Sequence, residues 1–186
     1  MAGRSTQLEL KYSRRGGRRE GAGRKRKSDL LTHSPRPVLR PRYPVHVTMR
    51  MRRHVWNLRT RRCFTVLERA FWAGSNRFGF RIVHFSVQGN HIHLLVEAND
   101  EHSLSSGMNG LGTRVARSLN RVMKRQGRVL ADRYHSRILR TPTEVRYVRN
   151  YHLTNARRHY GWRGPDPFTS IVALIAPDTY LLKRIC

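Results

Sequence analysis

The sequence predicts one α+β domain in which helices cover a central antiparallel sheet. Short segments of alternating apolar and polar residues, typical of strands, are interspersed with longer segments of helical periodicity. A turn signal at Gln88-Gly89-Asn90 joins two strand segments, which therefore form an antiparallel hairpin. The length of 186 residues suits a single domain with a tail, and no apolar run approaches the roughly 20 residues of a membrane span.

The first half of the domain supplies three strands and one helix. Residues 44–51 form a strand, because every second residue is apolar. Residues 60–73 form a helix whose apolar side chains fall on one face. Residues 78–87 and 91–97 form the two strands of the hairpin, since both are rich in β-branched and apolar residues.

The second half supplies two helices and a fourth strand. Residues 104–124 show helical periodicity, and residues 135–140 form a short strand. A third helix begins after Thr141 as its N-cap, and Gly161 ends it. The resulting order, β-α-β-β-α-β-α, corresponds to a ferredoxin-like or RRM-like plan.

The charge of the chain predicts a polyanionic partner. Lysine and arginine number 38 against 11 acidic residues, which gives a formal net charge of +27. Nucleic acid is the first expectation and an anionic membrane surface the second. Cys63 and Cys186 form neither a metal-binding spacing nor a disulfide framework. The basic N-terminus lacks the apolar segment of a secretion signal, so we expect a cytoplasmic, nucleoid-associated protein.

Composition divides the chain into three parts. Residues 1–43 are rich in Gly, Pro and basic residues and are expected to form a disordered basic arm. Residues 44–162 hold nearly all of the periodic apolar sequence and form the main domain, and residues 163–186 form a C-terminal tail. The side chains expected to contact DNA phosphates are Arg24, Lys25 and Arg26 in the arm, Arg114, Arg117, Arg121, Lys124 and Arg125 on the second helix and its exit, and Arg146, Arg157 and Arg158 on the third helix.

Two histidines mark a candidate metal site. His91 and His93 are two residues apart on a predicted strand, so both imidazoles project from the same face. Two neighbouring imidazoles can bind a divalent metal ion, although such a pair also arises by chance in a chain with 10 histidines. His46 on the first strand either faces the same site or is a packed or surface residue.

The third helix carries a candidate nucleophile. Tyr151 and Asn155 lie one helical turn apart, so they share a face. The Tyr151 hydroxyl is a possible nucleophile and the Asn155 amide oxygen a possible third metal ligand. The alternative is a half-buried tyrosine beside a surface asparagine. Tyr147, one turn earlier, is a possible second nucleophile, although packing in the core is the expected role.

The remaining aromatic and acidic residues are expected to be structural. Most tryptophans should lie in the core, because aromatic residues make up only 9% of the chain. Glu97 shares the face of His93 and is either a partner of a ligand histidine or a solvated strand end.

Several motifs together resemble a known family over residues 44–160. The strand PVHVT (44–48) is followed in order by NHIHLLV (90–96), DRYH (132–135) and YHLTNARRH (151–159). This succession resembles the HUH single-tyrosine transposases, and it is most similar to the branch of REP-associated tyrosine transposases.

The resemblance implies a reaction and a set of roles. The fold would be an antiparallel sheet flanked by helices, with Mg²⁺ or Mn²⁺ held by His91, His93 and Asn155. Tyr151 would attack single-stranded, hairpin-associated DNA, form a 5′-phosphotyrosine bond and later rejoin strands. The protein would act as a monomer or homodimer. The alternative is a catalytically silent hairpin-binding protein of the same fold. An RRM-like RNA-binding protein is disfavoured, because strand 3 offers histidines where exposed aromatic residues would be needed.

Overall fold

The computed structural model describes residues 38–170, and the N-terminal and C-terminal segments, including Arg24, Lys25 and Arg26, lie outside the described residues. The predicted α+β class and all seven predicted elements are confirmed. In chain order the elements are β1 (Val45–Arg50), α1 (Arg61–Gly74), β2 (Phe80–Val87), β3 (His91–Ala98), α2 (Glu101–Val122), β4 (His135–Ile138) and α3 (Pro142–Tyr160). The strands form one antiparallel sheet in the order β2-β3-β1-β4.

The two faces of the sheet bury different kinds of residue. Alternate residues of β1, namely Val45, Val47 and Met49, pack into the main apolar core with α1 and α2. His46 and Thr48 point to the opposite face, because successive side chains of a strand alternate. Helix α3 contacts this second face through β2 and β3. The two faces of the sheet therefore differ: one is wholly apolar, and the other, under α3, is partly polar.

Helix α2 approaches the sheet closely at a glycine. A Cβ atom at Gly107 would lie 2.2 Å from Cγ of Phe80, so no larger residue fits without moving the helix. Asp100 caps the start of α2 by accepting a hydrogen bond from the Ser103 amide. The helix then buries a stripe of apolar residues against α1 and the sheet.

Helix α3 has well-defined ends and a partly polar buried stripe. Thr141 and Glu144 form a reciprocal capping box, and Gly161 ends the helix with a φ of 64°. Its apolar contact with the sheet is small and centres on Val148, which packs with Leu95 and Leu139. The other buried residues of α3 are His152, Asn155 and Ala156.

The chain beyond α3 returns to the sheet. The Val87 amide donates to the Phe168 carbonyl, and the Ser170 amide donates to the Phe85 carbonyl. An isolated bridge also joins Ser86 to Thr169. Residues up to Ser170, which the sequence assigned to a C-terminal tail, thus extend the hydrogen bonding at the β2 edge.

Several aromatic residues are more exposed than predicted. Tyr147 was expected in the core but is 68% exposed, because the buried stripe of α3 runs beside it through Val148 and His152. The prediction that most tryptophans are buried is also wrong, since Trp56, Trp72 and Trp162 are each about half exposed. No helix within residues 38–170 has the length and apolar character needed to cross a membrane.

Candidate active site between the sheet and helix α3

The imidazoles of His91 and His93 share one face of β3, as predicted, and this is the face that α3 covers. The rings of His91 and His93 lie 4.7 Å apart between centroids and are perpendicular. His93 is buried, at 6% exposure, whereas His91 is half-buried. The Nδ1 atom of His91 lies 2.8 Å from Oδ1 of Asn90, a contact that orients its ring.

Residues of β1 and α3 hold the ring of His93 on both sides. Thr48, its partner in the register of β1 and β3, brings Oγ1 to 3.2 Å from Nδ1 of His93. The other ring nitrogen, Nε2, lies 3.5 Å from the hydroxyl of Tyr151. When Nδ1 carries the proton and donates to Thr48, Nε2 presents its lone pair toward the tyrosine. His46 stacks against His93 at 5.4 Å and so belongs to the site.

Asn155 is buried rather than at the surface. Its side chain is fully inaccessible, and among the described residues neither its amide oxygen nor its amide nitrogen has a hydrogen-bond partner. A buried carboxamide without partners costs about 1–3 kcal/mol. Asn155 lies one helical turn after Tyr151, on the same face of α3. The cost of leaving its amide unpartnered is therefore consistent with a group that is kept free to bind a ligand at this site.

Four other residues of the site were not predicted from the sequence. His152 is fully buried, with its ring 5.5 Å from His46 and 5.9 Å from His93. Burial lowers the pKa of His91, and His159 and Arg50 lie close enough to lower it electrostatically as well. Arg50 could have been found from the β1–β3 register, which pairs it with His91. His159 could have been found from its spacing, because it lies about two helical turns after Tyr151. Thr48 could likewise be found only once the register was known.

Burial keeps these imidazoles neutral. Burial, followed by the neighbouring His91 and His46, lowers the pKa of His93 to about 3. Burial also lowers the pKa of His46 to about 4, with smaller effects from His135 and Arg137. The pKa of His152 is lowered by burial and then by His46 and His93. A neutral imidazole is the form that binds a metal ion, so the cluster is suited to that role at neutral pH.

We expect acid to destabilise the protein through these histidines. In the unfolded chain they take up protons near pH 6.5, whereas His46 in the folded protein remains neutral down to about pH 4. The unfolded state therefore binds more protons between these values, and the free energy of unfolding falls as the pH falls. At pH 5 the loss from His46 is on the order of 1–2 kcal/mol. Urea unfolding in EDTA at pH 7 and pH 5 measures it, and His46→Gln should flatten the dependence. Equal stability at both values would contradict this prediction.

The predicted DNA-contacting arginines do not lie together. Helix α2 covers the face of the sheet opposite to α3, so its exposed Arg117 and Arg121 lie away from the histidines, as does the half-buried Arg114. Lys124 and Arg125 follow at the exit of α2. The predicted contacts on α3, the helix of the candidate nucleophile, are Arg146, Arg157 and Arg158, and all three are exposed.

Glu97 does not contact the histidine pair. Its carboxylate accepts hydrogen bonds from Arg81 on the neighbouring strand, and both side chains are exposed. The alternative of a solvated strand end therefore describes Glu97.

The donor set restricts how a metal ion could be bound. Within the described part of the chain, no three His, Cys, Asp or Glu side chains are grouped so that they could hold a metal ion. A site built on His91 and His93 therefore needs a donor of another type, and the unpartnered amide oxygen of Asn155 has suitable chemistry.

Comparison with known proteins identifies the family. A family model of IS200-like transposases matches residues 40–151, which is more than half of the chain. A structure of a REP-associated tyrosine transposase bound to a REP hairpin is similar, with a TM-score of 0.61 and 16% identity over 78% of this chain and 86% of the other. A proposed transposase from Deinococcus radiodurans gives a TM-score of 0.45 and 16% identity over 66% of this chain and 97% of the other. No curated protein sequence matches. The chain belongs to the IS200-like transposase family.

Proposed function

We propose that this transposase cleaves single-stranded DNA with Tyr151 as the nucleophile and rejoins strands through a covalent intermediate. One observation carries the proposal: the Tyr151 hydroxyl lies 3.5 Å from Nε2 of His93. The two residues are 58 positions apart in sequence and belong to different elements. Family membership supports a role in transposition, and the site supports this particular chemistry.

The reaction exchanges one phosphoester for another. The Tyr151 oxygen forms a bond to phosphorus, and the bond from phosphorus to the 3′ oxygen of the preceding nucleotide breaks. The phenol proton passes to solvent, and the departing 3′ oxygen takes up a proton. A later attack by a 3′-hydroxyl on the phosphotyrosine reverses the step and joins strands. Because one ester replaces another, no nucleotide cofactor is required.

His91, His93 and Asn155 are the residues that would hold a divalent cation, Mg²⁺ or Mn²⁺. The two imidazoles are suited to Mn²⁺, and the amide oxygen is suited to either ion. Such an ion would withdraw charge from the scissile phosphate and orient it for attack. Thr48 contributes by fixing the ring of His93 through Nδ1, so that Nε2 faces the reaction side.

The proposed substrate is a DNA hairpin with a single-stranded flank. The net charge of +27 favours a polyanion, and the similar REP-associated transposase was solved with a REP hairpin. Exposed Arg157 and Arg158 on α3 are suited to bind the cleaved strand near Tyr151. The arginines of α2 lie on the opposite face of the sheet and would bind another part of the same DNA.

Removing charge from α2 should weaken binding without slowing the chemical step. In an Arg117→Gln/Arg121→Gln variant, the slope of log affinity against log salt should fall by about 1 to 2, because each phosphate contact contributes about 0.7 to 0.9. Cleavage at saturating DNA should be unchanged, because both side chains are remote from Tyr151. Fluorescence anisotropy across a salt series measures the slope. An unchanged slope would remove α2 from the DNA-binding surface.

The decisive experiment asks for a covalent product. The full chain is incubated with a pool of 3′-labelled single-stranded hairpin oligonucleotides and Mn²⁺, and the products are separated on a denaturing gel. A band of reduced mobility that disappears with protease and with EDTA is expected. The same oligonucleotides labelled at the 5′ end should give a shortened free fragment. Tight binding with no covalent band would favour the alternative, a catalytically silent hairpin-binding protein.

A further inference from the structure

The end of α3 is connected to the hairpin that carries the histidine pair. The hydroxyl of Tyr160, the last residue of α3, accepts a hydrogen bond of 2.9 Å from the Gly89 amide. Gly89 belongs to the turn between β2 and β3, two residues before His91. This contact links the helix of the candidate nucleophile to the strand of the candidate metal ligands.

One arginine joins this contact to the chain beyond α3. Arg59 forms two hydrogen bonds of 2.9 Å with the two carboxylate oxygens of Asp166. Its Nη1 also donates to the Val87 carbonyl at the end of β2. The Arg59 side chain is 9% exposed and that of Asp166 only 1%. A bidentate pair at this depth has a fixed geometry that a lysine could not reproduce.

The same guanidinium packs against two aromatic rings. Its central carbon is 4.5 Å from the ring centroid of Tyr160 and 4.3 Å from that of Phe168. Arg59 therefore contacts the end of α3, the end of β2 and the segment after α3 at once. We name the group of Arg59, Tyr160, Asp166 and Phe168 the α3 anchor.

We propose that the α3 anchor is a positioning device for Tyr151, and that Arg59 and Asp166 are positioning residues for strand cleavage. The proposal rests on the function proposed above. The apolar contact of α3 with the sheet centres on Val148, near the start of the helix. Asn155 and the end of α3 lie beyond that contact, so the anchor fixes the half of the helix that carries the reactive groups. Neither Arg59 nor Asp166 touches the reacting atoms.

Breaking the anchor should slow cleavage more than it weakens DNA binding. In Arg59→Lys and Asp166→Asn variants of the full chain, the single-turnover cleavage rate at saturating DNA should fall at least about tenfold. The Kd for the hairpin oligonucleotide chosen from the cleaved pool should change less than about threefold. Backbone amides in the second half of α3 should exchange hydrogen faster, while those of β1 and β3 remain protected.

A matched ion pair supplies the control. Arg81 on β2 and Glu97 on β3 also form an ion pair, but this pair is exposed. Arg81→Gln should therefore leave both the cleavage rate and the hydrogen exchange of α3 unchanged. If the Asp166→Asn chain does not fold, Tyr160→Phe removes only the hydroxyl and keeps the ring against Arg59. That variant should show a smaller fall in the same rate, of about threefold.

Two results would overturn the proposal. One is an unchanged exchange rate in α3 when the anchor is broken. The other is faster hydrogen exchange of α3 in the anchor variants while their cleavage rate at saturating DNA stays unchanged. If the wild-type protein itself forms no covalent product, the proposed cleavage fails on its own, and hydrogen exchange still decides whether the anchor holds α3.

Discussion

A Tyr151→Phe variant is expected to form no covalent DNA product while binding the same hairpin DNA as tightly as the wild-type protein. Only the attacking oxygen is lost, so the rate of covalent-product formation should fall below detection, by a factor on the order of 1000 or more. The ring of Tyr151 packs 5.2 Å from that of His93, and phenylalanine retains this contact. The covalent product is measured on denaturing gels and the affinity by anisotropy.

Tyr147→Phe separates the two candidate nucleophiles. Tyr147 is 68% exposed, whereas Tyr151 lies beside His93. If Tyr147 were the nucleophile, covalent product would persist in Tyr151→Phe and vanish in Tyr147→Phe. Mass spectrometry of the peptide attached to DNA gives an independent answer, and a phosphotyrosine at position 147 would refute the assignment.

An Asn155→Ala variant is expected to need at least about 10 to 100 times more Mn²⁺ for half-maximal cleavage, because the loss of a residue that only supports a metal ligand already costs this much in affinity. The buried amide oxygen is the donor that would complete the pair His91 and His93. EDTA should abolish cleavage in the wild-type protein, and added Mn²⁺ should restore it. Electron paramagnetic resonance of bound Mn²⁺ measures the affinity directly, without DNA cleavage.

Thr154→Ala is the matched control for Asn155→Ala. Thr154 is exposed on the adjacent position of α3, and its hydroxyl donates within the helix to the Asn150 carbonyl. Its loss should leave the Mn²⁺ requirement unchanged. If Asn155→Ala binds Mn²⁺ as tightly as the wild-type protein, Asn155 is not a ligand and its burial is purely structural.

The fold could be predicted because its signals are local. The alternation of apolar and polar residues predicts β1, and the turn at Gly89 predicts the hairpin of β2 and β3. The capping box that begins α3 lies within four consecutive residues. The shared face of His91 and His93 follows from strand geometry alone. These features need no knowledge of distant parts of the chain.

The missing parts of the site depend on contacts between distant segments. Thr48 meets His93 only through the β1–β3 register, and His152 meets His46 only after α3 packs on the sheet. The burial of Asn155 could not be predicted either, since an amide in a helix is usually exposed. Arg59 and Asp166 are 107 residues apart, and nothing near either of them indicates the other.

The buried ion pair between Arg59 and Asp166 also has a consequence for synthesis on the ribosome. Asp166 comes after every strand and helix within residues 38–170, and chains begin to fold from the N-terminal end as they are made. The growing chain can thus complete the sheet, with His91 and His93, before the ion pair between Arg59 and Asp166 can form at the end of the helix that carries Tyr151. If the α3 anchor positions Tyr151 as proposed, a nascent chain would gain strand cleavage only after Asp166 has left the exit tunnel.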